Sequence, residues 1–279
     1  MPRRSEASVR SRRLAITLRK LRRATGMTGA DVAKAVEMSA SKISRVESAE
    51  SGIYLDDVEK LLDFYGVTKK QRVYLLDLAR HAEQRGLLRV NNAHFPEDWQ
   101  TWADFEDEAS ALLNYKPLTI PGLLQTTEYA RQIIWATGHG LDEDQIETLV
   151  SSRMARQGLL TRSNPLQLHA IIEQAVFDRP FGDPHVYSRQ IRHIVDMSEM
   201  PNITVQVMPT EAGLHPGLNG AFVILKYDDD PSLVLLENKI ASHFLDEPNQ
   251  IELFEDTWGV LRDVAFSVEE TAAYLKGLT

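Results

Sequence analysis

The sequence predicts an α+β chain: an N-terminal all-α domain of five helices, then a mixed α/β domain in which helices cover a sheet of roughly four strands. Three observations carry this reading. Apolar residues recur at helical spacing as far as about residue 85, with a capping residue or a glycine at most breaks. From Gly86 to Pro96 the periodicity fades. Branched runs bounded by Pro, Gly, Asn and Asp then begin at Leu166.

Residues 1–9 read as a basic, disordered arm. A helix over Arg10–Thr25 sets Leu14, Leu18 and Leu21 on one stripe, and Gly26 stops it. Thr28 caps a short helix carrying Val32, Ala33 and Val36, and Ser39 caps another carrying Ile43 and Val46. A fourth helix turns Leu55, Val58, Leu61 and Leu62 inward and ends at Gly66. Thr68 and Gln71 form a capping box for the fifth, with Leu75, Leu78 and Ala79 on its inner face. Beyond the break, a helix is expected over 99–114 on Trp102, Phe105, Ala109 and Leu112, then helices from Thr127 to Gly138 and from Asp142 to about Gly158. Strands are expected at Leu166–Ile172, Ile203–Pro209, Ala221–Tyr227 and Leu233–Glu237, with a helix from Asp183 to about Met200 between the first two. Strand, helix, strand implies a parallel crossover; the short links among the last three strands imply antiparallel neighbours. Helices over Asn249–Asp263 and Ser267–Gly277 close the chain. The expected organisation is an arm (1–9), a helical domain (10–85), a linker (86–98) and a second domain (99–279).

The net charge of −9 is unevenly distributed: residues 1–90 hold 19 Lys+Arg against 11 Asp+Glu, and residues 91–279 hold 12 against 29. Before residue 24 nine cations, Arg3, Arg4, Arg10, Arg12, Arg13, Arg19, Lys20, Arg22 and Arg23, face only Glu6. Such a run is either a solvated face or a surface that binds phosphates and releases their counterions. The chain has no cysteine, which excludes disulfides and thiolate metal sites and fits a reducing cytoplasm. Its longest apolar runs are about five residues, too short to span a bilayer or serve as a signal peptide, so no membrane is expected as a partner.

Two short capped helices with a tight joint must pack steeply and leave the outer face of the second free for a DNA major groove. The stretch MTGADVAKAVEMSASKISRVE, Met27–Glu47, resembles the helix-turn-helix of the Xre/Cro/phage-repressor family, at Met27, Thr28, Val32, Ala33, Met38, Ser39, Ile43, Ser44, Arg45, Val46 and Glu47. It departs from the pattern at Gly29, where a phosphate-contacting glutamine is usual, and at Glu37, where a turn glycine is usual; a left-handed glutamate is uncommon. The resemblance implies a lambda-repressor-like helical domain and double-stranded DNA as partner. On the second helix Ser41 and Arg45 are the expected base readers, arginine being able to grip guanine with two hydrogen bonds. Lys42, Ser44, Thr28 and Ser39, with Arg12 and Arg13 from the basic run, are the expected phosphate contacts. The competing structural roles are an ion pair of Arg45 with Glu47 or Asp31 and helix capping by Ser39.

The stretch Phe105–Arg131, FEDEASALLNYKPLTIPGLLQTTEYAR, resembles actinobacterial regulators of this type that carry a WhiJ-like C-terminal domain, as do Pro201–Pro209 and Gly220-Ala221-Phe222. The resemblance implies a transcriptional regulator, toxin-antitoxin-like in setting, with a small acidic protein partner or a small-molecule effector. An antitoxin-like protein that binds a small partner and uses DNA binding for autoregulation is the alternative. Physically, Pro121-Gly122 makes a turn that swings Leu123 and Leu124 into the core. Gln125 and Tyr129 are the residues to watch for ligand or partner binding if that turn does more than shape the fold. One reading helix covers too few base pairs to find a site alone, so a homodimer is expected, with Trp99, Trp102, Trp135 and Trp258 as candidate anchors. No phosphate loop, no Gly-x-Ser-x-Gly and no close histidine spacing is present, and Glu173 with Glu237 reads as ion pairing or capping rather than as a catalytic pair. No enzyme, metal or cofactor is expected.

Overall fold

The computed structural model describes residues 8–49, 54–82, 88–91, 96–179, 183–228, 230–238 and 241–279. The elements are α1 (Val9–Ala24), α2 (Gly29–Ala35), α3 (Ala40–Glu47), α4 (Leu55–Tyr65), α5 (Lys69–Arg80), β1 (Leu88–Asn91), α6 (Pro96–Glu108), β2 (Ala111–Lys116), α7 (Thr127–Thr137), α8 (Glu143–Arg156), β3 (Gln167–Glu173), α9 (Gln174–Asp178), α10 (Pro184–Ser198), β4 (Ile203–Met208), β5 (Phe222–Lys226), β6 (Leu233–Glu237), β7 (Ala241–Leu245), α11 (Pro248–Val264) and α12 (Val268–Lys276). They form two compact units. The first comprises residues 1–105, 229–233 and 238–250, the second 106–228, 234–237 and 251–279.

In the first unit the five expected helices form. Thr28 and Asp31 make a capping box for α2, Ser39 caps α3, and Thr68 with Gln71 makes the box of α5. Gly66 closes α4 in the left-handed conformation (φ 63°), where a side chain would be strained. Leu14, Leu18, Val32, Ile43, Val46, Val58, Leu61, Leu62, Leu75 and Leu78 are all buried. Helix α1 starts one residue earlier than expected, capped by the buried Ser8, so the described end of the arm belongs to the fold. Residues 1–7 of the arm lie outside the described residues. So do 86–87 and 92–95 of the expected linker, within which 88–91 form β1, antiparallel to β7.

In the second unit the strand order is β6-β5-β2-β3-β4. β2, β3 and β4 run parallel, and β5 pairs antiparallel with β2. The expected parallel crossover from β3 through α10 to β4 is present. The expected four-strand sheet is corrected: in this unit β2 joins the four strands foreseen, and β4 and β5 are not neighbours, because β2 and β3 lie between them. The helix expected over 99–114 ends at Glu108, and Leu112 and Asn114 belong to β2. With β3 on one side and β5 on the other, β2 has partners for both backbone edges; Leu112 and Tyr115, on opposite faces, are both fully buried. A strand buried on two faces has no alternation to betray it, so its apolar run extends a helical stripe just as well.

The Pro121-Gly122 turn behaves as packing chemistry dictates. Leu123 and Leu124 are buried, Thr126 caps α7, and the buried Gln190 of α10 accepts from the Thr126 amide and donates to the Leu124 carbonyl, both at 2.7 Å. Ile134, Ile146 and Val150 lock α7 to α8.

Candidate nucleic-acid interface

Helices α2 and α3 are joined by Val36–Ser39, and the joint turns at Glu37, whose φ is 55°. This is the left-handed conformation that the missing glycine leaves a glutamate to adopt. The turn is closed by a 2.8 Å hydrogen bond from the Met38 amide to the Ala33 carbonyl. Ile43 and Val46 plug α3 into the core, so its outer face is fixed.

A polar clamp sets the far end of α3. Arg22 of α1 donates from Nε and Nη2 to the two carboxylate oxygens of Glu47, each at 2.8 Å, and from Nη1 to the Met27 carbonyl at 3.0 Å. Arg19 donates to the Glu47 carbonyl at 2.6 Å. The hydrogen bond with Glu47 holds the Arg22 guanidinium above its ordinary pKa. Burial, aided by the Glu47 charge, pushes the neighbouring Tyr65 hydroxyl up to about 12. These residues position α3 without facing its outer side. The signal for them was available in Glu47, whose place in the motif was read only as a match and as a partner for Arg45.

The outer face of α3 presents Ala40, Ser41, Ser44 and Arg45, all exposed. Ser41 and Arg45 are four residues apart and therefore stacked on one side. Arg45 makes no ion pair among the described residues: Glu47 is engaged by Arg22, and Asp31 accepts from the Thr28 amide and hydroxyl at 3.0 and 2.6 Å. Those two bonds, the hydroxyl first, hold the Asp31 carboxyl below its usual range. Thr28 and Ser39 are exposed caps whose oxygens accept from the Asp31 and Lys42 amides. Lys42 is committed elsewhere. Its Nζ lies 2.7 Å from the buried Asp57 carboxylate and 5.7 Å from the Tyr54 ring centre, so a phosphate would have to compete for it.

The basic run is corrected more sharply. Arg12 and Arg13 are 3% and 5% exposed, which removes both from a phosphate-binding surface. Arg12 donates to the Pro231 carbonyl at 2.8 Å and lies over the Phe105 ring; Arg13 and Lys20 share the buried Asp104. The Val9 amide donates to Asp246 at 2.6 Å. Arg12, Arg13 and Lys20 thus answer aspartates far along the chain. Arg23 remains exposed beside the motif, as does Lys34 on α2.

The residues watched in the second unit have internal partners. Gln125 is 3% exposed, donates to the Ile120 carbonyl at 2.7 Å and accepts from Arg153 at 2.9 Å. Tyr129 is 2% exposed, its hydroxyl accepts from the Ile120 amide at 3.3 Å, and burial raises its pKa. Both brace the turn, and neither faces solvent. Glu173 accepts from the Tyr115 hydroxyl at 2.6 Å and lies 3.3 Å from His215, while Glu237 pairs with Lys116 at 3.2 Å. The two carboxylates have separate partners. Trp102 and Trp258 are core residues, Trp135 is 72% exposed, and the side chain of Trp99 lies outside the described residues. No helix is long and apolar enough to cross a membrane, among the described residues.

Two family models match the chain. One described as "Helix-turn-helix domain" covers residues 13–75, and one described as "Domain of unknown function (DUF5753)" covers residues 99–277. No curated protein matches. Among solved structures, one described as that of TrmBL2, an archaeal chromatin protein with a novel mode of DNA binding, is similar at 14% identity and a TM-score of 0.32, over 86% of this chain and 88% of that one.

Proposed function

For a chain that belongs to the DUF5753 family and carries a helix-turn-helix domain ahead of that region, we propose the function of a sequence-specific, DNA-binding transcriptional regulator. The observation that carries this reading is the exposed side of α3. Ser41 and Arg45 stand there one above the other, on a helix whose inner side is plugged by Ile43 and Val46 and whose end is clamped by Arg22. Arginine in that place can grip the O6 and N7 atoms of guanine, with Ser44, Thr28 and Ser39 at the backbone and Arg23 and Lys34 flanking. Two copies bind half-sites roughly 10 bp apart, or a multiple of that, because one helix reads too little sequence to select a site. The second domain mediates the pairing and responds to an effector or a protein partner. It performs no catalysis, and the protein works in the cytoplasm.

Selection of random duplexes on the purified chain, followed by affinity measurements at matched salt, tests the reading. A defined half-site whose preference relaxes in Arg45→Ala supports it. A parent that enriches no sequence, or a variant with the parent's sequence preference, overturns it.

A further inference from the structure

Helix α11 packs Trp258 and Leu261 inward, yet Leu253, Val260 and Val264 are 64%, 47% and 42% exposed. At 3.6 residues per turn these three and the half-buried Thr257 fall within about 60° of arc, a continuous apolar seam along the helix. Val268, at the start of α12, is likewise 43% exposed. A water-facing seam of this kind contradicts the polar outer face that a surface helix ordinarily carries, and such seams mark interaction sites. The charges beside it are of one sign. Glu252, Asp256 and Asp263 are exposed along one flank, while Phe254 and Leu261 on the other turn toward the core. Arg262 lies roughly opposite the seam and pairs with Asp263 at 2.9 Å.

We propose that the seam of α11 is a docking surface for an amphipathic helix of a partner protein, with apolar residues on its inner side and lysine or arginine along the edge that meets Glu252, Asp256 and Asp263. A second copy of this chain fits poorly. Across a two-fold axis perpendicular to the helices, like flanks face each other, so the acidic row would lie against its own image. A basic-edged partner replaces that repulsion by attraction and covers the leucine and valines. The proposal stands apart from DNA binding, because the seam shares no residue with α3.

The test uses the full chain and two synthetic helical peptides that share a leucine seam, one flanked by lysine and the other by glutamate. The lysine-flanked peptide should bind, more weakly as salt rises, and the glutamate-flanked one should not. Leu253→Ser with Val260→Ser should weaken binding by about tenfold or more, at unchanged circular dichroism and duplex affinity. Asp256→Asn with Asp263→Asn should flatten the salt dependence. Equal binding of the two peptides, no binding of the lysine-flanked one, indifference to the seam variants, or a dimer of the chain that the seam variants split would each overturn the proposal.

Discussion

Arg22 on α1 and Glu47 on α3 are joined by two parallel 2.8 Å hydrogen bonds, and that pair, with Ile43 and Val46, fixes the angle at which α3 leaves the core. Both side chains are mostly buried, so removing one partner strands the other. Arg22→Ala should therefore cost about 3 kcal/mol of stability, read by urea denaturation. Its effect on duplex affinity should be uniform across sequences. Arg22→Lys, which cannot make the paired bonds, should recover only part of the loss.

Arg45 and Arg13 should behave as opposites. Arg45→Ala should leave stability within about 0.5 kcal/mol of the parent. It should reduce discrimination at one base pair by about 1–3 kcal/mol. Arg13→Ala takes from the buried Asp104 its buried guanidinium partner and should lower stability by about 3 kcal/mol while leaving the salt slope of duplex binding unchanged. Competition titrations over a range of salt, alongside melting curves, separate the two.

Glu37 holds a left-handed backbone at the joint of the motif, where a non-glycine residue is strained by about 1 kcal/mol. Glu37→Gly should stabilise the protein by about that amount, offset in part by the greater freedom of glycine in the unfolded chain. A lower melting temperature in this variant would contradict the strain argument.

His169 of β3 lies 2.7 Å from the Gln206 side-chain oxygen and edge-on to Trp258, and burial pushes its pKa below the ordinary 6.5; His193 is shifted the same way for the same reason. The unfolded chain thus binds these protons more readily than the folded one. The stability due to the neutral rings is complete above about pH 6.5 and is lost as pH falls below that value. The melting temperature should drop between about pH 7 and pH 5, and His169→Gln should show a shallower drop over that interval.

What the sequence disclosed follows from how local its causes are. The boundaries of α2, α3, α5 and α8 were legible because Thr28, Ser39, Thr68 and Asp142 cap their own helices within three residues. Strand β2 was not, because its helical stripe through Leu112 is overruled by β3 and β5, whose approach depends on the rest of the chain. The face of α3 was legible from the spacing of Ile43 and Val46. The fates of Arg12, Arg13 and Lys42 were not, since Asp230, Asp104 and Asp57 are distant in sequence and a run of cations looks the same whether it awaits a phosphate or a buried carboxylate.

The first helix leans on Asp104, Pro231 and Asp246, so the N-terminal third of the chain is not self-sufficient. A fragment trimmed to residues 13–75 would keep Arg13 and Lys20 and lose the Asp104 that answers them, leaving the underside of α1 open to water. Deletions aimed at the acidic half, between Asp230 and Asp246, should accordingly be felt as lost DNA binding, however far in sequence they fall from Arg45.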